Sequence, residues 1–402
     1  MIRPDQRSRA LRVRLRCASR IAGLALSCAG LPSCGSSTPS PPPPPASAHD
    51  QVFVSQAGSS TLLVVDARSL ETTARIDVGM LPHNLVVSPD HRTVYAALVG
   101  SQAIAEIDVA TLSLRRTLLT APVPRLRVDG SIIQEHADQD AFSATSCYAC
   151  HRAGGAEPKY AGDRPFGLLS SQDGRSLYVT HLRGSRLTIL DLDSGEIEKT
   201  VSLTPAGTAS EVVAIDRVED EIWVALRPPQ PSSDPGALRR LRADTLEPIA
   251  DVPTGSDPGT ILALPTRRAI LVSNFESNTV TMHEMRGGDL GRSIAIEAAP
   301  GPLGLLQLDG NHVLALDYYS NSVSFLDLDD SSAQTLALEH EGLPYANPTN
   351  AALASDGQSA WVVSSGTDGH LLQLDLPSRR IVRDVSIDGL SFGVAVVPGI
   401  VP

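Results

Sequence analysis

"PHNLVVSPDHRTVYAALVGSQAIAEIDVATLSLRRTLLT" occupies residues 82–120, and "PFGLLSSQDGRSLYVTHLRGSRLTILDLDSGEIEKTVSL" occupies 165–203. Laid over each other, the two share one plan: a run after Pro, an Asp-Gly-like turn and a second run. A polar turn, a third run ending in Asp and a fourth run follow. Short period-two runs at regular spacing, punctuated by turn residues, predict a four-stranded antiparallel unit. The plan recurs in degenerate form near 209–254, then at 258–298, 302–341 and 348–389. No segment carries a long helical period.

The two ends complete the pattern. The stretch "QVFVSQAGSSTLLVVDARSLETTARIDVG" (51–79) has second, third and fourth runs but no first, whereas "LSFGVAVVPG" (390–399) reads as a lone first run. Joined, they make one more unit and leave no edge strand open. The units resemble the YVTN-type β-propeller repeat, seen here as "YVTH" (178–181) and "LVSN" (271–274). That resemblance implies an all-β, seven-bladed β-propeller over 51–402, its termini sharing one blade. A pair of β-sandwiches is the structural alternative, and the symmetry of the two ends argues against it. The repeat specifies architecture far better than activity.

Residues 1–33 read as an export signal. Seven Arg and one Asp within 1–20 precede the short apolar run "IAGLALSCAGL", too short to span a bilayer with tilt to spare. "GLPSCGSS" resembles a bacterial lipobox, which implies lipidation at Cys34, although Pro32 departs from the usual residue there. An ordinary cleaved signal is the alternative, and Cys28 is a weaker lipidation candidate. Residues 34–50, "CGSSTPSPPPPPASAHD", cannot bury a core and form an extended tether. Gly35 is not the Asp that resembles an inner-membrane retention signal, so the expectation is a periplasmic, lipid-anchored protein at the outer membrane. Without the leader's seven Arg and one Asp, the formal charge of −12 becomes about −18, which argues against nucleic acid as a partner.

With Cys17, Cys28 and Cys34 assigned to the leader and anchor, only Cys147 and Cys150 remain, so there is no disulfide framework. Both lie in "SATSCYACHRAGG" (143–155), within a long insertion at 121–164 between the second and third units. Long loops inside compact repeats are usually functional or disordered. C-x-x-C-H is the attachment signal of c-type haem: two thiols meet the vinyl groups, and the next imidazole reaches the iron. The expected cofactor is one covalent haem c on Cys147 and Cys150, with His151 as proximal ligand. The surroundings resemble cytochrome c segments of haem-bearing bacterial propellers, which implies that Phe142 packs on a haem edge. A zinc site using His136 as well, a redox disulfide and a chance match are the competing readings.

The connection from a fourth to the next first strand shares a face with the turn between second and third strands. His181, His83, His136 and Met80 are therefore the distal-ligand candidates, in that order; an open position would instead permit chemistry on the iron. His181 also sits at the Asn position of the YVTN motif, where a polar turn residue is the plainer role. Asp66, Asp108, Asp191, Asp327 and Asp375 close the third strands and are expected to bond the following turns. Two functions remain open. One is electron transfer or small-molecule redox chemistry with a partner protein or a small donor or acceptor. The other is a non-catalytic envelope scaffold holding a protein, peptide or glycan on the propeller's top face.

Overall fold

Four-stranded antiparallel sheets follow one another along the chain, as the turn signals require. The computed structural model describes residues 49–120 and 164–399, less 183, 204–209, 230–231, 287–288 and 367. Blade 1 takes β1 (Gln51–Gln56), β2 (Thr61–Asp66) and β3 (Thr72–Asp77). Blade 2 holds β4 (Pro82–Val87), β5 (Thr93–Leu98), β6 (Ala103–Asp108) and β7 (Ser113–Leu119). Blade 3 holds β8 (Pro165–Ser170), β9 (Ser176–His181), β10 (Arg186–Asp191) and β11 (Ile197–Ser202). Blade 4 holds β12 (Glu211–Val218), β13 (Glu221–Arg227), β14 (Pro235–Arg242) and β15 (Pro248–Ser256). Blade 5 holds β16 (Pro258–Leu264), β17 (Ala269–Asn274), β18 (Thr279–Arg286) and β19 (Asp289–Glu297). Blade 6 holds β20 (Pro302–Gln307), β21 (His312–Asp317), β22 (Ser322–Asp327) and β23 (Ser332–Ala337).

A two-stranded hairpin, β24 (Glu339–His340) and β25 (Leu343–Pro344), follows blade 6. Its turn residues Glu341 and Gly342 both have positive φ, as a tight two-residue hairpin turn requires. Blade 7 holds β26 (Pro348–Leu353), β27 (Ser359–Ser364), β28 (Gly369–Asp375) and β29 (Arg380–Ile387). Then β30 (Ser391–Val397) pairs with β1, from Gln51 opposite Val397 to Gln56 opposite Ser391. Inner strands of successive blades touch all round, β30 meeting β4, and the seven sheets close into a seven-bladed β-propeller.

Burial explains why periodicity fades in the middle strands. β5, β17 and β27 are buried along their whole length because both faces pack on neighbouring blades. The outer strands, such as β3 and β23, stay largely exposed. The core is thus a series of inter-blade clusters. Trp223 of blade 4 packs with Ile270 and Met285 of blade 5, and Trp361 of blade 7 with Val52 and Leu63 of blade 1. The third-strand aspartates bond their turns. Asp66 accepts from the amides of Arg68 and Ser69, Asp191 from Ser194, and Asp375 from Ser378.

Candidate functional site: the mouth of the central channel

All seven inner strands break register within their first few residues, for example between Pro82 and Leu85, Pro165 and Leu168, and Pro258 and Ile261. A bulge re-aims side chains and frees a backbone amide. In blades 1, 3 and 5 a hydroxyl at the Thr position of the YVTN motif, Ser55, Thr180 or Ser273, takes that amide up; the other blades carry Ala97, Leu226, Leu316 and Val363 there. Ser55 Oγ accepts from Gly393 N at 2.7 Å and donates to the His83 carbonyl of the next blade at 2.6 Å. Ser273 repeats this between Thr260 N and the Leu303 carbonyl, at 2.8 Å each. Inner strands approach so closely here that glycine is needed: a Cβ on Gly393 would collide with the His83 carbonyl oxygen.

The bulges surround a cavity of about 80 Å³. It is walled by His83, Phe166, Phe275, Tyr318 and Phe392, with Arg227 and Asp257 on one side. These residues come from the starts of inner strands and the ends of second strands. The cavity is therefore on the face that also carries the second-to-third turns. Thr120 and Arg164, which flank residues 121–163, are tied to that face. Thr120 N donates to Gln102 O at 3.0 Å, and Leu182 N donates to Arg164 O at 2.8 Å.

His83 is held in a defined state. Its ring stacks on Phe392 at 4.4 Å and tilts against Phe166 at 4.6 Å. Asn84 Nδ2 donates to the Phe166 carbonyl at 3.0 Å, which turns Asn84 Oδ1 toward His83 Nδ1, 3.3 Å away. Nδ1 therefore carries the proton in the neutral ring, and Nε2 carries the lone pair. Packing between aromatic rings removes the imidazole from water and lowers the His83 pKa to about 4, so it is neutral at pH 7.

Blade 4 supplies residues that the sequence reading passed over. Arg227 donates from Nε to Glu211 Oε2 at 2.8 Å and from Nη1 to Asp257 Oδ1 at 2.5 Å, all three side chains being buried. Glu211 faces Arg227 across the β12–β13 pair, where other blades pair Pro165 with His181 or Pro258 with Asn274. Each position departs from the other units in sequence, Glu211 where blades 2, 3, 5, 6 and 7 carry Pro and Arg227 where blades 3 and 5 carry His181 and Asn274, but their pairing is a matter of register.

His181 ends β9 and is fully buried, its Nε2 2.9 Å from Thr188 Oγ1, while Nδ1 has no partner. Burial lowers its pKa to about 3, helped by Arg186. The equivalent residue elsewhere closes the same hairpin. Asn274 Nδ2 donates to Thr279 and Thr281, and Asp317 accepts from Ser322 and Ser324. Met80 is buried against Gly100. The structure thus puts His83 on the cavity wall and His181 inside a hairpin. Cys34, His136, Phe142, Cys147, Cys150 and His151 lie outside the described residues.

Among the described residues, no group of three His, Cys, Asp or Glu side chains gathers as a metal site, and no helix is long and apolar enough to cross a membrane. As a test of fit for haem, a cavity of about 80 Å³ lies well below the ~300 Å³ of an ordinary ligand pocket, so it does not admit a porphyrin. What this face offers such a group is donor chemistry and surface: one neutral imidazole and apolar rings.

No family model matches the chain, and no curated protein sequence matches it. Solved structures do. A periplasmic gluconolactonase of Pseudomonas aeruginosa, PpgL, is similar at 14% identity and TM-score 0.62, over 87% of this chain and 99% of its own. A Kuenenia stuttgartiensis hydrazine synthase is similar at 13% identity and TM-score 0.58, over 86% and 96%. The dihydro-haem d1 dehydrogenase NirN, in complex with DHE, is similar at 15% identity and TM-score 0.56, over 86% and 74%. At such identities the likeness shows the fold alone: a β-propeller.

Proposed function

We propose that this chain is an exported c-type haem propeller, anchored to the outer membrane through lipid on Cys34, that serves electron transfer or small-molecule redox chemistry. One observation carries the reading. C-x-x-C-H falls in the connection whose described ends, Thr120 and Arg164, are tied to the face that holds the aromatic cavity. Cys147 and Cys150 are the covalent anchors, His151 the proximal ligand and Phe142 a packing residue. Haem bound there supplies a one-electron iron couple. Of the distal candidates, His83 is favoured over His181. His83 lies on the cavity wall and is partly exposed, whereas His181 is fully buried inside its hairpin. A periplasmic redox protein or a small donor or acceptor would meet the same face.

The test is expression with a cytochrome c maturation system. Covalent haem staining on a denaturing gel is expected, and its loss in the Cys147→Ala, Cys150→Ala double variant. A correctly folded, colourless wild-type protein would sink the reading. His83→Ala is expected to remove a six-coordinate low-spin spectrum that His181→Ala leaves in place; the reverse result would exchange the two assignments.

A further inference from the structure

The fourth strand of each blade has one edge unpaired, and six of the seven are protected against receiving a further strand. β3, β7, β11, β15, β19 and β29 all hold charged residues, such as Arg115 and Arg116 in β7, and β15 adds Pro248 and Pro253. Each of those six also breaks register against its neighbour, and a bulge bends an edge away. β23 has neither device. Its sequence, SAQTLA, contains no charge and no Pro. Its pairing with β22 runs from Ser332 opposite Asp327 to Ala337 opposite Ser322 without a bulge. Five of its six residues are exposed, and among the described residues it pairs with β22 alone. A straight, neutral, exposed edge is a template for one more strand.

Charge decides what kind of strand. Asp330 lies just before β23, and Glu339 and Glu341 just after it, all three exposed. At the Asp330 end a cavity of about 320 Å³ opens between blades 6 and 7. Asp309, Asp327 and Asp330 line it with His312 and Arg379, so acids outnumber bases, and Phe325 adds an apolar wall. A long basic side chain suits such a place, its methylenes on the apolar wall and its charge among the carboxylates. A second copy of β23 does not. Two such strands paired antiparallel over their full length would set Asp330 of one chain opposite Glu339 of the other, and like charges directly opposite destabilise a pair. We propose that the β23 edge docks an extended segment of a partner protein, a neutral stretch flanked by Lys or Arg, which adds a fifth strand to blade 6.

Titration of the full chain with an end-blocked fluorescent peptide, Lys-Thr-Val-Thr-Val-Thr-Val-Lys, tests this by anisotropy and by hydrogen exchange. Saturable binding is expected, with slowed amide exchange in residues 332–337. The same peptide with Glu at both ends should bind at least about tenfold more weakly. N-methylation of one alternate set of peptide residues should abolish binding and of the other set should spare it, because an added strand uses every second N–H. Ala333→Lys, at an exposed edge position, should weaken the Lys-ended peptide about tenfold and leave the melting temperature unchanged. Absence of saturable binding, equal affinity for the Glu-ended peptide, or retained binding of both N-methylated forms would each overturn the proposal. So would a wild-type dimer that Ala333→Lys abolishes, which would make a second copy the occupant. The Cys147→Ala, Cys150→Ala variant should bind the peptide as the wild type does, which separates this edge from the haem reading.

Discussion

Asp317 shows how one repeat position can serve the fold at a cost in charge. It is fully buried and accepts from Ser322 and Ser324 through Oδ2, while Oδ1 has no partner. Desolvation raises its pKa from 3.8 to about 7. The unfolded chain releases this proton at lower pH than the folded one. Stability is therefore lost as pH rises from about 4 to about 7, a few kcal/mol at most. Asn274 shows the neutral solution, its Nδ2 donating to two hydroxyls. Asp317→Asn should therefore stabilise the protein by about 1–3 kcal/mol at pH 8 and by little at pH 4. Denaturant unfolding across that range checks it; an equal gain at both pH values would refute the account. His181 and His283 run the other way. Burial lowers their pKa values to about 3 and 4, so their contribution is lost as pH falls below about 6.5. His181→Leu leaves the Thr188 hydroxyl unpaired and should cost about 1–3 kcal/mol. His181→Asn, the residue of the repeat, should cost less in the same assay.

At the scale of the element, the inner strand governs. Its bulge needs small residues where strands crowd, and in blades 1, 3 and 5 a hydroxyl of the second strand takes up the freed amide. Gly393→Ala drives a methyl into the His83 carbonyl and should cost about 1–3 kcal/mol or more in thermal unfolding. Gly310→Ala, with nothing near its Cβ, should stay within about 0.5 kcal/mol. β30 is the element on which the ring depends. Deleting residues 391–402 exposes the β1 edge along its ladder, so size-exclusion chromatography should show association or aggregation in place of a monomer peak. The repeat plan was legible at this scale: turns, third-strand aspartates and the split blade all follow from spacing. The bulges and the Glu211–Arg227 pair were not, because a strand's register is a relation between two chain segments.

For the whole molecule, sharing each core between neighbouring blades predicts one cooperative transition. The two tryptophans stand in blades 4 and 7 and are natural reporters. Trp223→Ala should cost about 3–5 kcal/mol. It should lower the Trp361 fluorescence midpoint together with the circular dichroism midpoint. A Trp361 midpoint left at the wild-type value would show that the blades unfold separately. The surface carries a large formal negative charge, so no DNA mobility shift is expected at physiological ionic strength.

By itself the sequence determined the number of units, the order of strands and the closure by the two ends. Each of these depends on local punctuation: a Pro before, a Gly or Asn turn between, an Asp after. It also singled out C-x-x-C-H, since two thiols and an imidazole in five residues need no fold to be recognised. Only the tertiary structure decided which side chains meet on the axis. His83, Phe166, Arg227, Asp257 and Phe392 lie far apart in the chain and converge because seven bulged inner strands turn them toward one point. It likewise placed His181 against Thr188 and His83 on the cavity wall. His83 starts an inner strand and His181 ends a second strand, and packing around the channel sets their different surroundings.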